Sequence, residues 1–78
     1  MNQPRPIQVQ VGAGGVPVTI LLRGKNCTVE AIREQWRIDD EWWRSPISRR
    51  YLQVVLTTGV LVTLFQDLVE EQWYLQDA

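Results

Sequence analysis

The chain has 78 residues with one cysteine, no histidine and a net charge of −1, which is the length of a single domain with one modest apolar core. A lone thiol excludes an internal disulfide, and without histidine beside it there is neither a zinc-type cluster nor a Cys/His nucleophile pair. Charge signs alternate in blocks, basic over residues 1–29 and 42–51 and acidic over 30–41 and 52–78, so no broad phosphate-binding face is expected.

Residues 1–6 carry two prolines and read as a flexible arm, leaving 7–78 as one β domain. The Met-Asn-Gln-Pro-Arg-Pro start lacks an apolar segment after a basic stretch, so it does not read as a secretory signal. Together with the single thiol this fits a reducing, cytoplasmic setting. Ile7, Val9 and Val11 alternate with Gln8 and Gln10, the period of a half-buried strand. Gly12-Ala13-Gly14-Gly15 ends that strand as a loop. It leads into Val16-Pro17 rather than a helix, so it lacks the context of a phosphate cradle.

Gly24-Lys25 reads as a two-residue type II′ turn. That pairing sets Leu22 opposite Cys27, Ile20 opposite Val29 and Val18 opposite Ala31 on an apolar face, with Thr19, Leu21 and Arg23 on the other. Cys27 is then a small core residue. Beyond Ala31 the parity slips, because Ile32, Trp36 and Ile38 lie on even positions. Either a β-bulge sits near Ala31-Ile32, or Thr28 caps a short helical turn within 29–36 whose face is Val29, Ile32 and Trp36. The strand-like neighbours favour the bulge.

Thr58-Gly59 reads as a second tight turn, pairing Leu56 with Leu61, Val54 with Thr63 and Leu52 with Phe65. The reverse face, with Tyr51, Val55, Val62 and Leu64, is also apolar, so something must cover it: the N-terminal strand, or a second copy docked over Val55, Val62 and Leu64. The uncharged stretch from Tyr51 to Gln66 is shorter than the ~20 residues a membrane helix needs. Asp67–Glu71 forms a loop, and Trp73 and Leu75 alternating with Gln72, Tyr74 and Gln76 give a last strand. The fold class is all-β, a meander of about six strands forming a curled sheet or small barrel.

The block from Trp36 to Tyr51 holds three tryptophans, four arginines and three carboxylates in sixteen residues. Asp39-Asp40-Glu41 alternates sides on extended backbone, so its acids suit pairing with Arg37, Arg44 or Arg49 better than they suit a metal or a paired-carboxylate site. Adjacent Trp42 and Trp43 face opposite ways on a strand, so one indole lies at the surface. With Arg44, Arg49, Arg50 and Tyr51 it can form a hot spot for a protein partner or a stacking platform for single-stranded nucleic acid. The competing reading is internal: Arg49 or Arg50 stacks on that indole and pairs with Asp39 or Glu41. No base-and-nucleophile pair is evident, Ser48 included, so the expectation is a non-enzymatic interaction module without metal or cofactor.

The pattern Trp36-Arg37-Ile38-Asp39-Asp40-Glu41-Trp42-Trp43-Arg44, then Ser48-Arg49-Arg50-Tyr51, a Gly59 hairpin, Asp67-Leu68 and Trp73-Tyr74-Leu75 resembles a family of small uncharacterised bacterial domains. It is also similar to C-terminal segments of error-prone Y-family DNA polymerase relatives. The resemblance covers roughly residues 16–76 and departs at Val69-Glu70-Glu71, where a glycine-containing turn is expected. It implies an accessory role in DNA repair or replication and assigns no residue a chemistry.

Overall fold

The computed structural model describes residues 4–42 and 45–76, with backbone only for Glu41, Trp42 and Ser45. It is all-β: β1 (Arg5–Pro6), β2 (Val9–Val11), β3 (Pro17–Leu22), β4 (Lys25–Trp42), β5 (Ser45–Leu56), β6 (Leu61–Asp67) and β7 (Gln72–Gln76), with a 3-10 turn at Ala13–Gly15. Among the described residues no helix is long and apolar enough to cross a membrane. All pairings are antiparallel, in the order β1-β7-β6-β5-β4-β3-β2.

The two outermost strands are parts of one N-terminal segment. Arg5–Pro6 pairs with β7 rather than hanging free, and Val9–Val11 pairs with β3. Between them the Ile7 amide donates to the Trp73 carbonyl and Gln8 O accepts from the Leu21 amide. One short segment therefore bonds both edges of a curled sheet, which explains why the expected single strand appears as two pieces.

The inner face of the curl is the core. Ile7, Ile20, Leu52, Val54, Leu56, Leu64 and Trp73 are buried there, with Val9, Leu22, Cys27, Val29, Ile32, Val62 and Leu75 packed against them. Burying a side chain of this size stabilises by about 1.5–3 kcal/mol, so alternation on β5 fixes which way that strand faces. Cys27 lies on this side, as the sequence indicates.

The β3–β4 hairpin differs from the expected register, while the expected bulge forms. Leu22 pairs with Lys25 and Ile20 with Cys27, so the turn is Arg23-Gly24, with φ of 52° and 77°, the type I′ signature. The slip is two residues, so each side chain keeps its face; the expected Val18–Ala31 rung does not form, because β3 and β4 pair only as far as Thr19↔Thr28. Residues 29–36 are strand with no helical turn, and the parity slip is absorbed by two register shifts, between Val29 and Ala31 and between Ile32 and Glu34. Bulges place Ile32 and Val29 inward and Trp36 outward, so no helical stripe is needed.

The Gly59 hairpin corrects by one residue. Leu56 N–H donates to Val60 O and Gly59 N–H to Leu56 O, leaving Thr57, Thr58 and Gly59 as a three-residue loop closed by glycine at φ 91°. Leu52 thus pairs with Leu64, and Tyr51, not Leu52, pairs with Phe65. A one-residue slip exchanges faces: Val62 and Leu64 turn into the core while Val55 stays on the outer face, so these three do not form one docking surface.

Candidate functional site

Strand alternation divides the predicted site residues. Arg49 and Tyr51 lie on the outer face of β5, whereas Arg50 lies on the inner side. Backbone pairing carries β4 and β5 out to Trp42↔Ser45; Trp43 and Arg44 lie outside the described residues, as does the Trp42 side chain.

The outer face carries a row of four aromatic rings, one from each of four neighbouring strands. The registers Trp36↔Tyr51, Tyr51↔Phe65 and Phe65↔Tyr74 align them. Ring centroids are 5.4 Å apart with planes 5° off parallel for Trp36–Tyr51, 5.0 Å and 37° for Tyr51–Phe65, and 5.0 Å and 16° for Phe65–Tyr74. Such stacks contribute about 0.5–1.5 kcal/mol per pair beyond area burial. Phe65, in the middle, is 1 % exposed although it faces away from the core, because its neighbours wall it in.

Arg49 caps this row. Its guanidinium lies 4.7 Å from the Phe65 ring centroid, and Nη1 donates to the Tyr51 hydroxyl at 3.3 Å. Its buried Nε has no hydrogen-bond partner, and among the described residues no carboxylate pairs with it. Asp67, opposite Arg49 in register, instead accepts the Val69 and Glu70 amides. The Tyr74 hydroxyl donates to Glu70 at 2.8 Å; that bond to a carboxylate raises the phenol above its ordinary value.

The row ends at Trp36. β3 pairs with β4 only as far as Thr28, so among the described residues no strand continues the sheet beside Trp36, and the indole is 41 % exposed. Ile38, two residues along the same face, is 42 % exposed. A planar acceptor for one more ring and an exposed isoleucine therefore lie together, with the Arg49 guanidinium over Phe65 two rings away on the same face.

Arg50 is engaged internally. It donates to the Gly15 carbonyl and its guanidinium stands 5.6 Å from the Trp73 centroid, pinning the glycine loop across one end of the core. On that same inner side, Asp39 takes an ion pair from Arg37 at 2.8 Å and a hydrogen bond from Ser48 at 2.7 Å. Ser48, then Arg37, hold its carboxyl below the ordinary range. Arg49 and Arg50 thus lie on the rings of Phe65 and Trp73; the contact expected on an indole of the Trp42-Trp43 pair falls outside the described residues.

Phe65 and Tyr74 are the outer-face rings that the sequence does not gather with Trp36 and Tyr51. Placing glycine third in a three-residue hairpin loop would have set Phe65 beside Tyr51 and exposed the row. A groove of about 440 Å³ at the seam between β2, β3 and β7 is bordered by Gln8, Gln10, Thr19, Asn26, Glu71 and Gln72; these are amides, one hydroxyl and one carboxylate, and none of the predicted site residues lines it. Compared with known protein families, curated proteins and solved structures, the chain matches none, so the likeness drawn from the Trp36–Tyr51 block rests on those residues alone.

Proposed function

We propose that this protein is a non-enzymatic interaction module that grips a protein partner with the outer face of β4 and β5. The observation that carries this reading is the unfinished aromatic row: Trp36 ends it with an exposed ring beside Ile38, and Arg49 covers Phe65 two rings along the same face. Tryptophan and arginine are the side chains that dominate interface energetics. A partner supplying a carboxylate to Arg49 and an apolar or planar group to Trp36 and Ile38 would satisfy all three. The resemblance to polymerase-linked segments makes replication or repair proteins the first partners to try.

The same ring end offers a stacking surface to a single-stranded base. Glu34, Asp40, Asp67 and Glu70 border that face, however, and repel phosphates, so nucleic-acid binding is the second reading. The test is affinity capture from cell extract with wild-type protein, Trp36→Ala and Arg49→Gln, followed by titration of the recovered partner. A partner retained by wild type and weakened by about 2 kcal/mol or more in each variant supports the module. Salt-sensitive binding of oligonucleotide that quenches tryptophan emission, with no protein recovered, would replace it by the second reading.

A further inference from the structure

Among the described residues, one edge of β4 has no neighbouring strand along most of its length. β3 covers Lys25–Thr28, and from Val29 onward β5 alone pairs with it. The two bulges break this edge before Glu34, but pairing with β5 is regular from Gln35 to Trp42. The backbone direction of that stretch follows from the other side of β5. Leu68 N–H donates to Ser48 O, and Leu56 N–H donates to Val60 O, so even-numbered β5 residues bond toward β6 and odd-numbered ones toward β4. Asp39 and Arg37, opposite Ser48 and Arg50, therefore aim their N–H and C=O groups at the open edge, as do Gln35 and Glu41.

Exposed edges of this length are usually blunted against pairing. Here the blunting is directional, because the charges on the edge complement one another in a single register. We propose that β4 pairs antiparallel with β4 of a second copy of the chain, about a two-fold axis at Ile38. Residues directly opposite each other in an antiparallel pair share a face, so the axis must pass through a residue. An axis at Arg37 sets Arg37 against the partner's Arg37, and one at Asp39 sets Asp39 against the partner's Asp39, both repulsive. An axis at Ile38 sets Arg37 against the partner's Asp39 twice over. It also brings Ile38 to the partner's Ile38 in a non-hydrogen-bonded rung, where side chains approach most closely.

In that register Gln35, Arg37, Asp39 and Glu41 all find backbone partners. Arg37 and Asp39, already an ion pair with 59 % and 56 % exposed side chains, join a four-charge alternating cluster. The pairing is isologous and closed: the bulges end it on one side, and the sheet's outermost strands are bonded by the N-terminal segment. The same register sets Ile38 against the partner's Ile38 and Trp36 opposite the partner's Asp40, so a second copy occupies the edge that the protein-partner reading leaves to another molecule, and cross-linking between copies separates the two.

The test is cross-linking in a Cys27→Ala background. Opposed residues in a non-hydrogen-bonded rung have Cα atoms about 4.5 Å apart, within disulfide range. Ile38→Cys is expected to form a disulfide-linked dimer on mild oxidation, while Arg37→Cys, which faces the partner's Asp39, is not. Equal cross-linking by both, or none by Ile38→Cys, overturns the proposal. Sedimentation of the cysteine-free protein supplies the second arm: Arg37→Asp should raise the dimer dissociation constant about tenfold or more, and adding Asp39→Arg should restore it. A wild-type chain that stays monomeric into the millimolar range also overturns it.

Discussion

Arg49 and Arg50 are neighbours in the chain and serve different ends, because consecutive strand residues leave the sheet on opposite sides. Arg50 donates to the Gly15 carbonyl and lies against Trp73 on the inner side; Arg49 donates to the Tyr51 hydroxyl and covers Phe65 on the outer face. Arg50→Ala should therefore destabilise the fold by about 1–3 kcal/mol, through a lost charge-assisted bond and lost stacking, measured by urea denaturation. Arg49→Gln should cost clearly less stability than Arg50→Ala. Equal costs would contradict the division of labour.

Titration offers a second check on single residues. The Tyr74 phenol is raised by its bond to Glu70, so its contribution to stability is complete below the unfolded tyrosine range and is lost as pH rises through the raised folded value. Glu70→Gln should move the Tyr74 phenolate transition to lower pH, read by ultraviolet absorbance; an unchanged transition would deny the bond. Asp39 has the opposite sign. Its lowered carboxyl stabilises the arm above the unfolded carboxylate range, and that contribution disappears as pH falls through the lower folded value.

At the scale of elements, turn chemistry decides which faces meet. The β6–β7 turn places Glu71 at φ 60°, with its amide bonded to Asp67 O, a backbone conformation that favours glycine. A side chain in the left-handed region costs about 1–2 kcal/mol, partly offset by the chain entropy a glycine would lose. Glu71→Gly should thus stabilise by roughly 0.5–1 kcal/mol in thermal denaturation; a loss of stability would mean that the Glu71 side chain has a role of its own.

The same logic shows how far the sequence could be read. Alternation located Ile7, Val9, Ile20, Cys27, Trp73 and Leu75 on the inner face, and the parity break at Ala31-Ile32 located a bulge, because burial enforces both patterns. Loop length is not enforced by burial. Both faces of the β5–β6 hairpin are apolar, so pairing Leu52 with Phe65 or with Leu64 satisfies hydropathy equally, and only the hydrogen bonds around Gly59 distinguish them. That single residue hid the aromatic row. The Arg49 and Tyr51 contribution to the surface was legible in the motif; the identity of the rings beside them was not, since those come from strands 14 and 23 residues beyond Tyr51.

At the scale of the molecule, the N-terminal segment and the β4–β5 arm set the outline. The radius of gyration is 12.6 Å, above the roughly 11.5 Å of a compact chain of this length, as expected when paired strands extend past the curl. Closure depends on residues 5–11, which join both edges through a few backbone bonds and the burial of Ile7. Ile7→Ala should cost about 2–4 kcal/mol and reduce amide protection at both Ile7 and Leu21, which lie on opposite seams. Loss at one seam alone would show that the two edges are held separately.

The inner face makes the fold and the outer face is the proposed contact surface, a contrast that two tryptophans test directly. Stability and partner affinity should be measured together for Trp73→Ala and Trp36→Ala. Trp73, 8 % exposed, should cost about 3–5 kcal/mol of stability, whereas Trp36 should cost about 1 kcal/mol and abolish partner binding in a chain that remains folded. A Trp36→Ala protein that unfolds as readily as Trp73→Ala, or that binds its partner undiminished, would contradict it.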